Sequence, residues 1–173
     1  MNKKILVIPV FLLTFALFSL PVMAAPVTKI EGVTATIAFA ETSEYRAVDH
    51  GIIQVEGIST GTVTLNIPGQ VPLFGTLIRE WIGTIKLSQH LPDPDATGLL
   101  RGHVVWTFVG EGTTGTFEGT RHTKFVGFPR PFISNIEIRY VLQGTGDFSG
   151  QTLKLAYEGP TPPVFEGTLL IPN

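Results

Sequence analysis

Four side chains in strand-like runs have the chemistry to bind a ligand. Arg79 and Trp81 share the apolar face of one run, Trp106 lies on the apolar face of the next, and Tyr140 stands among aliphatic residues further on. An arginine and a tyrosine that project into an aromatic-lined cavity can orient a carboxylate or a hydroxyl on an otherwise apolar ligand. These four residues are the candidate ligand-binding residues. In the simpler alternative, Arg79 carries its guanidinium to the rim and Tyr140 bonds backbone.

The four histidines, His50, His90, His103 and His122, do not form a metal-binding pattern. No two of them have the spacing of ligands on one element. His103 and His122 flank a predicted hairpin and would face each other only in a loose register. We therefore expect neither a metal nor another cofactor.

The segment Gly110–Gly115 fits the pattern G-x-G-x-x-G. The residues that follow, 116–120, are β-branched or glycine and are a poor start for the helix that would receive a pyrophosphate. We predict a hairpin turn here instead of a nucleotide site.

The segment Leu91–Gly98 holds Asp93 and Asp95, which resemble part of a calcium loop. The remaining acidic ligands of such a loop are missing. We predict a loop in which Asp-Pro forms a turn. No serine has the G-x-S-x-G context of an activated nucleophile.

Strands, not helices, would have to position these residues. No segment shows a sustained helical stripe, and Gly, Thr, Val and Ile recur at strand-like intervals. A helical turn has room only around 43–49. The predicted strands are 28–39, 52–58, 62–67, 73–89, 99–109, 113–125, 132–143, 151–157 and 164–171.

Apolar and polar residues alternate within the longest runs, which predicts one buried face for each. The buried faces would carry Leu77, Arg79, Trp81, Ile85 and Leu87 in the first run, Leu100, Val104, Trp106 and Phe108 in the second, and Phe132, Ile136, Ile138, Tyr140 and Leu142 in the third.

The triplet apolar-Glu-Gly recurs five times, at 30–32, 55–57, 117–119, 157–159 and 165–167. In a strand the apolar residue and the glycine share one face and the glutamate takes the other. Inner glycines let a coiled sheet bend or make room for an aromatic ring. The glutamates are therefore expected on the outer, solvated face.

The N-terminus predicts export. Lys3 and Lys4 precede an apolar run and small residues, as in a secretory signal peptide of residues 1–24 cleaved after Ala24. Without those lysines the chain has 10 basic and 14 acidic residues, a formal charge of −4. This charge argues against nucleic acid and anionic membranes as partners. The absence of cysteine excludes disulfides, so stability depends on packing and strand pairing.

Near the C-terminus, two strand-like runs flank Gly144–Gly150, a turn of the form G-x-G-x-F-x-G in which Asp147 can bond backbone. Through Gly144, Gly146, Phe148 and Gly150 this hairpin resembles the late hairpin of the allene oxide cyclase and dirigent-like barrel superfamily. The resemblance extends loosely over 132–173. It implies a β-barrel fold and permits cyclase chemistry, but the catalytic residues of the cyclases lie outside the matched turn.

We therefore predict an all-β fold, a single antiparallel β-barrel of about eight strands over residues 25–173, exported from the cytoplasm. The leading function is a binding module for a small apolar or amphipathic molecule. One alternative is a cyclase- or isomerase-like enzyme, which would need Glu80 or His103 to face inward. Another is an extracellular structural or protein-interaction domain, for which the resemblance allows homo-oligomers such as trimers.

Overall fold

Eight antiparallel strands form one closed barrel in the part of the chain that the structure describes. The computed structural model describes residues 26–48, 50–110, 112–129, 132–159 and 164–173. The strands are β1 (Val27–Val48), β2 (Ile52–Asn66), β3 (Leu73–Lys86), β4 (Asp93–Gly110), β5 (Thr113–Phe128), β6 (Asn135–Gly146), β7 (Thr152–Gly159) and β8 (Val164–Pro172). Each strand pairs with the next, and β8 pairs with β1 to close the ring. The predicted all-β barrel is confirmed.

The strands are strongly staggered around the barrel. Paired residues followed around the wall from Ser43 on β1 return to β1 at Val33, an offset of 10 residues (43 minus 33). Such a stagger tilts the strands. The wall is uneven, because β7 and β8 have 8 and 9 residues whereas β4 has 18. An eight-stranded barrel has an interior that side chains fill or that holds one small ligand.

Alternation along each strand sends every second side chain into the core. Leu77, Arg79, Trp81 and Ile85 on β3 are buried, and the residues between them are exposed or half-buried. The inner faces predicted for β4 and β6 are buried in the same way, with two exceptions. Leu100 is half-buried. Phe132 precedes β6 and is 44% exposed, so its predicted inner position is wrong.

Several predicted strand boundaries differ from the structure, and three of the differences are large. The two runs predicted at 52–58 and 62–67 form one strand, β2, whose pairing with β3 continues through Thr60 and Gly61. The stretch at 43–48, where a helical turn had room, is strand that pairs with β2, and residue 49 lies outside the described residues. The segment predicted as a loop contains the start of β4 at Asp93, with a register shift before Thr97.

The apolar-Glu-Gly triplets lie on the wall as expected, since all five glutamates are exposed. At Gly167 an added side-chain carbon would lie 1.9 Å from the carbonyl oxygen of Lys154 on β7. A residue without a side chain is therefore required for β7 and β8 to approach this closely. At Gly98 such a carbon would lie 2.0 Å from the ring of Phe125, so this glycine makes room for an aromatic side chain.

The predicted signal peptide, residues 1–24, lies outside the described residues. Within the described ranges, no helix has the length and apolar character needed to cross a membrane.

Candidate functional site

A belt of polar side chains lies inside the barrel. Ser59, Arg79, Arg121 and Thr123 are all buried on inward positions of β2, β3 and β5. Ser59 and Arg79 are register partners, and Arg79 Nη2 donates a hydrogen bond of 2.9 Å to Ser59 Oγ. Arg79 is only 2% exposed, so the alternative that carried its guanidinium to the rim is wrong.

Two of the predicted aromatic residues, Trp81 and Tyr140, lie at the same register level as Arg121 of this belt. Trp81, Gly102, Arg121 and Tyr140 are successive register partners across β3 to β6 and therefore lie at one level of the wall. The ring of Tyr140 lies 5.4 Å from that of Trp106, centroid to centroid. The structure thus buries all four predicted residues on inner positions and brings Trp106 and Tyr140 into ring contact.

Sequence reasoning missed three members of the belt, Ser59, Arg121 and Thr123. A signal for two of them was present in β5, where Phe117, Arg121, Thr123 and Phe125 all fall on one face by period-two alternation. On this inner face Arg121 lies between Phe117 and Phe125. Its side chain is therefore either buried beside these rings or extends past one of them.

Three buried polar atoms in this region have no hydrogen-bond partner among the described residues. They are Trp81 Nε1, Trp106 Nε1 and Thr123 Oγ1. A buried donor without a partner costs about 1–3 kcal/mol, so folded proteins usually satisfy it with water, an ion or a ligand. Both indole groups can only donate, and they therefore require an acceptor atom.

One end of the barrel is closed by aromatic rings. Phe148 comes from the turn between β6 and β7, is buried, and stacks on Phe117 with centroids 4.6 Å apart and planes inclined by 25°. Phe108 meets Phe148 edge-on at 5.8 Å. Phe117 is 0% exposed. The rings of this closed end therefore pack directly against one another.

The opposite end is more accessible. Six inner residues toward the end that carries the β3–β4 and β5–β6 connections keep 7% to 9% exposure, although Val55 and Ile85 at the same end keep only 2% and 1%. The six are Ile53, Trp81, Arg121, Phe125, Ile136 and Ile138. This accessible end therefore includes the level of Trp81 and Arg121. Its inner lining is apolar apart from the polar belt, which suits a small molecule with a polar group directed inward.

A buried carboxylate, Asp93, connects the end of β3 to the start of β4 at the rim of the accessible end. Asp93 is 0% exposed and accepts hydrogen bonds from the Ser88 amide at 2.6 Å, the Gln89 amide at 3.1 Å and the Asp95 amide at 3.0 Å. Burial acts to raise the pKa of Asp93, but the hydrogen bonds from Ser88, Gln89 and Asp95 together hold that pKa below its ordinary value.

These bonds occupy the carboxylate oxygens of Asp93 with protein donors. Residues 93–95, where Asp-Pro was predicted to form a turn, belong to β4. No group of three or more histidine, aspartate or glutamate side chains that could hold a metal ion occurs among the described residues.

The groups that a lumen enzyme would need point outward. Glu80 is exposed, and His103 Nε2 lies 2.9 Å from Glu118 Oε1 with both side chains about half-exposed. His122 pairs with Arg101, while His103 pairs with Thr120, so the two histidines are not opposite each other.

A groove of about 710 Å³ lies on the same outer face. Its walls are outward side chains of β1 to β4, and Gly57, Trp81 and Gly102 also line it. None of the four residues of the polar belt lines it.

Both glycine motifs form hairpins. Gly110 pairs with Thr113, so the G-x-G-x-x-G pattern is a hairpin turn, as predicted. In the turn of Gly144–Gly150, Asp147 accepts a 2.6 Å hydrogen bond from the amide of Thr114 on β5. The expected bond within the turn is thus replaced by one to the neighbouring strand.

Comparisons with known proteins find no matching family model, no matching curated protein and no matching solved structure. The resemblance to the allene oxide cyclase and dirigent-like superfamily therefore rests on Gly144, Gly146, Phe148 and Gly150 and stays a prediction.

Proposed function

We propose that this chain is an exported binding protein that holds a small, mostly apolar molecule inside the barrel, with entry from the accessible end. The molecule would carry an oxygen acceptor, such as a carbonyl or a carboxylate. The observation that carries this proposal is the pair of buried indole N–H groups, Trp81 Nε1 and Trp106 Nε1, which lack a partner among the described residues.

Three features of the site support this ligand class. The lining is aromatic and aliphatic, which favours an apolar body. The unpaired indoles supply donors, which favours an acceptor. Inner residues at this end keep residual exposure, which favours entry from the rim formed by the β3–β4 and β5–β6 connections.

Native mass spectrometry of the protein purified gently from its producing cell provides the first test. We expect a bound small molecule at one copy per chain, identified after extraction. A protein that is free of any such molecule would be examined further by titration.

The titration uses intrinsic fluorescence, because the only two tryptophans of the chain are both in the site. The probes are a medium-chain methyl ketone, the fatty acid and the alkane of equal length. We expect the ketone or the acid to bind about three- to tenfold more tightly than the alkane, the equivalent of one net hydrogen bond.

Trp81→Phe and Trp106→Phe keep a ring and remove a donor, so each should reduce this preference. Tyr157→Phe, which removes a hydroxyl from a ring packed against Phe165, is the matched control and should leave the preference unchanged. A clean apo mass together with no fluorescence response to any probe would contradict the proposal.

A further inference from the structure

The groove of about 710 Å³ on the outer wall, which we call the outer groove, has a square of four side chains at its centre. These residues of β2 and β3 are Glu56, Ile58, Glu80 and Ile82. Ile58 is the register partner of Glu80, and Glu56 is the register partner of Ile82. The two isoleucines therefore occupy one diagonal of the square, and the two glutamates occupy the other.

The two isoleucines give the outer groove apolar walls. Ile58 is 55% exposed and Ile82 is 63% exposed. Residues on such a diagonal lie about 7–8 Å apart, which leaves space between them for an alkyl chain or a ring. Gly57 and Gly102 also line the groove and bring no side chain to fill it. The volume lies within the range of sites for small molecules, about 300–1,000 Å³.

The outer groove has an excess of negative charge. Its lining contains three carboxylates, of Glu44, Glu56 and Glu80, and one guanidinium, of Arg101. All four side chains are exposed, and none of them forms a salt bridge with another described residue. The remaining titratable group of the lining, His103, lies 2.9 Å from a further carboxylate outside the groove.

Two of the carboxylates are placed at a cost to the fold. Glu44 and Glu56 are register partners on β1 and β2, and both are exposed. Like charges directly opposite each other on neighbouring strands are destabilising. Proteins break such local rules mainly at functional sites. A cation bound beside Glu56 would remove this repulsion.

We propose that the outer groove binds a small amphipathic organic cation, an ammonium or guanidinium group that carries an alkyl or aryl body. The charged group would lie beside Glu56, between Glu44 and Glu80, and the body would pack between the two isoleucines. Arg101, on the β4 side, repels the charged group and so directs it towards β1 and β2. This proposal is independent of the ligand inside the barrel.

A metal ion does not fit this groove as the occupant. Metal sites need several ligand atoms that converge on one point. No group of three or more histidine, aspartate or glutamate side chains in the described part of the chain could hold a metal ion. The apolar walls of the groove would also make no use of a bare ion. The body of the ligand is therefore as necessary to the fit as its charge.

The test is NMR of the isoleucine methyl groups of the purified protein during addition of hexylammonium. Ile58→Val and Ile82→Val assign the two signals of the groove, because each variant removes one δ1 methyl group. Three further probes separate the charge from the body: hexan-1-ol, hexanoate and ammonium chloride. We expect hexylammonium to shift both signals and to bind about threefold or more tightly than hexan-1-ol. Hexanoate and ammonium chloride should leave the signals in place.

Charge-removing variants test the role of the glutamates. Glu56→Gln keeps the size of the side chain, and it should weaken hexylammonium binding by about two- to fivefold. Glu80→Gln should act in the same direction. Added salt should weaken binding to the natural protein, because exposed charges are screened. Glu166→Gln, an exposed position on β8, is the matched control and should bind as the natural protein does.

Thermal unfolding without ligand provides a second readout. Because Glu56→Gln removes the repulsion from Glu44, this variant should be at least as stable as the natural protein. Trp106→Phe alters the interior only and should leave the hexylammonium shifts of Ile58 and Ile82 unchanged. The proposal would be overturned by signals that stay in place with hexylammonium, by equal binding of hexan-1-ol, or by unchanged affinity in both glutamine variants.

Discussion

The two ends of the barrel interior are built from different residues and have different accessibility. At the closed end, Phe108, Phe117 and Phe148 interlock, and Phe117 is 0% exposed. At the accessible end, Trp81, Arg121 and Phe125 keep 7% to 8% exposure, and Trp81 Nε1 and Thr123 Oγ1 have no hydrogen-bond partner among the described residues. One end is thus packed for stability. The other retains the donors and access that binding requires.

The largest expected effect concerns the closed end. Phe117→Ala removes a fully buried ring that contacts two others, and it should lower the free energy of unfolding by about 3–5 kcal/mol. Phe125→Ala at the accessible end should cost less, because that ring keeps 8% exposure and is less completely packed. Urea unfolding of both variants measures the difference. Equal losses would remove the distinction between the ends.

A smaller effect is expected in the polar belt. Arg79→Met keeps an unbranched chain but leaves the buried Ser59 hydroxyl without its donor, so it should cost about 1–3 kcal/mol of unfolding free energy. Arg139→Met, whose side chain is 70% exposed, is the matched control and should change stability by about 0.5 kcal/mol or less. If both variants have the same free energy of unfolding, the hydrogen bond of Arg79 to Ser59 does not stabilise the protein.

Removing an unpaired donor should have a still smaller effect on stability. Trp81→Phe deletes the buried Nε1, which is favourable, but it also shrinks the ring and leaves a cavity, so the ligand-free protein should lose about 1 kcal/mol of unfolding free energy or less. The same variant should bind the ketone probe less tightly. Thermal unfolding with and without probe measures both effects. A variant that binds the ketone as tightly as the natural protein does would contradict the assignment of this N–H group to the ligand.

The contribution of Asp93, at the rim of the accessible end, to the free energy of unfolding should depend on pH in acid solution. Because the pKa of Asp93 is lower in the folded protein than in the unfolded chain, its contribution is present above the unfolded pKa of about 4 and is lost as the pH falls through the folded value. Thermal midpoints of the natural protein and of Asp93→Asn should therefore converge below about pH 4. A constant difference between the two proteins across that range would exclude this role of Asp93.

Much of the architecture follows from local alternation in the sequence. The inner faces of β3 and β4 and the outward glutamates were predictable because period-two patterning decides which face a residue takes. The same pattern does not predict how far along the barrel axis a residue lies or how deeply it is buried. Arg79 was placed on the correct face, but its burial beside Ser59 depends on how far β2 and β3 slide past each other.

The accessible site was harder to predict for the same reason. The level shared by Trp81, Arg121 and Tyr140 arises from the stagger of strands that are distant in sequence. The burial of Asp93 depends on the amides of Ser88 and Gln89, whose positions follow from the end of β3. Pairing of β8 with β1, which closes the barrel, has no local signal.

The most direct test of the binding claim is the proton–nitrogen NMR spectrum of the two indole N–H groups, which must give two signals because the chain has two tryptophans. The spectrum is recorded before and after addition of the methyl ketone, with the alkane as control. We predict that the ketone shifts at least one indole proton downfield by forming a new hydrogen bond, and that the alkane does not. Indole signals that stay in place with saturating ketone, or that move equally with the alkane, would contradict a binding site built on these donors.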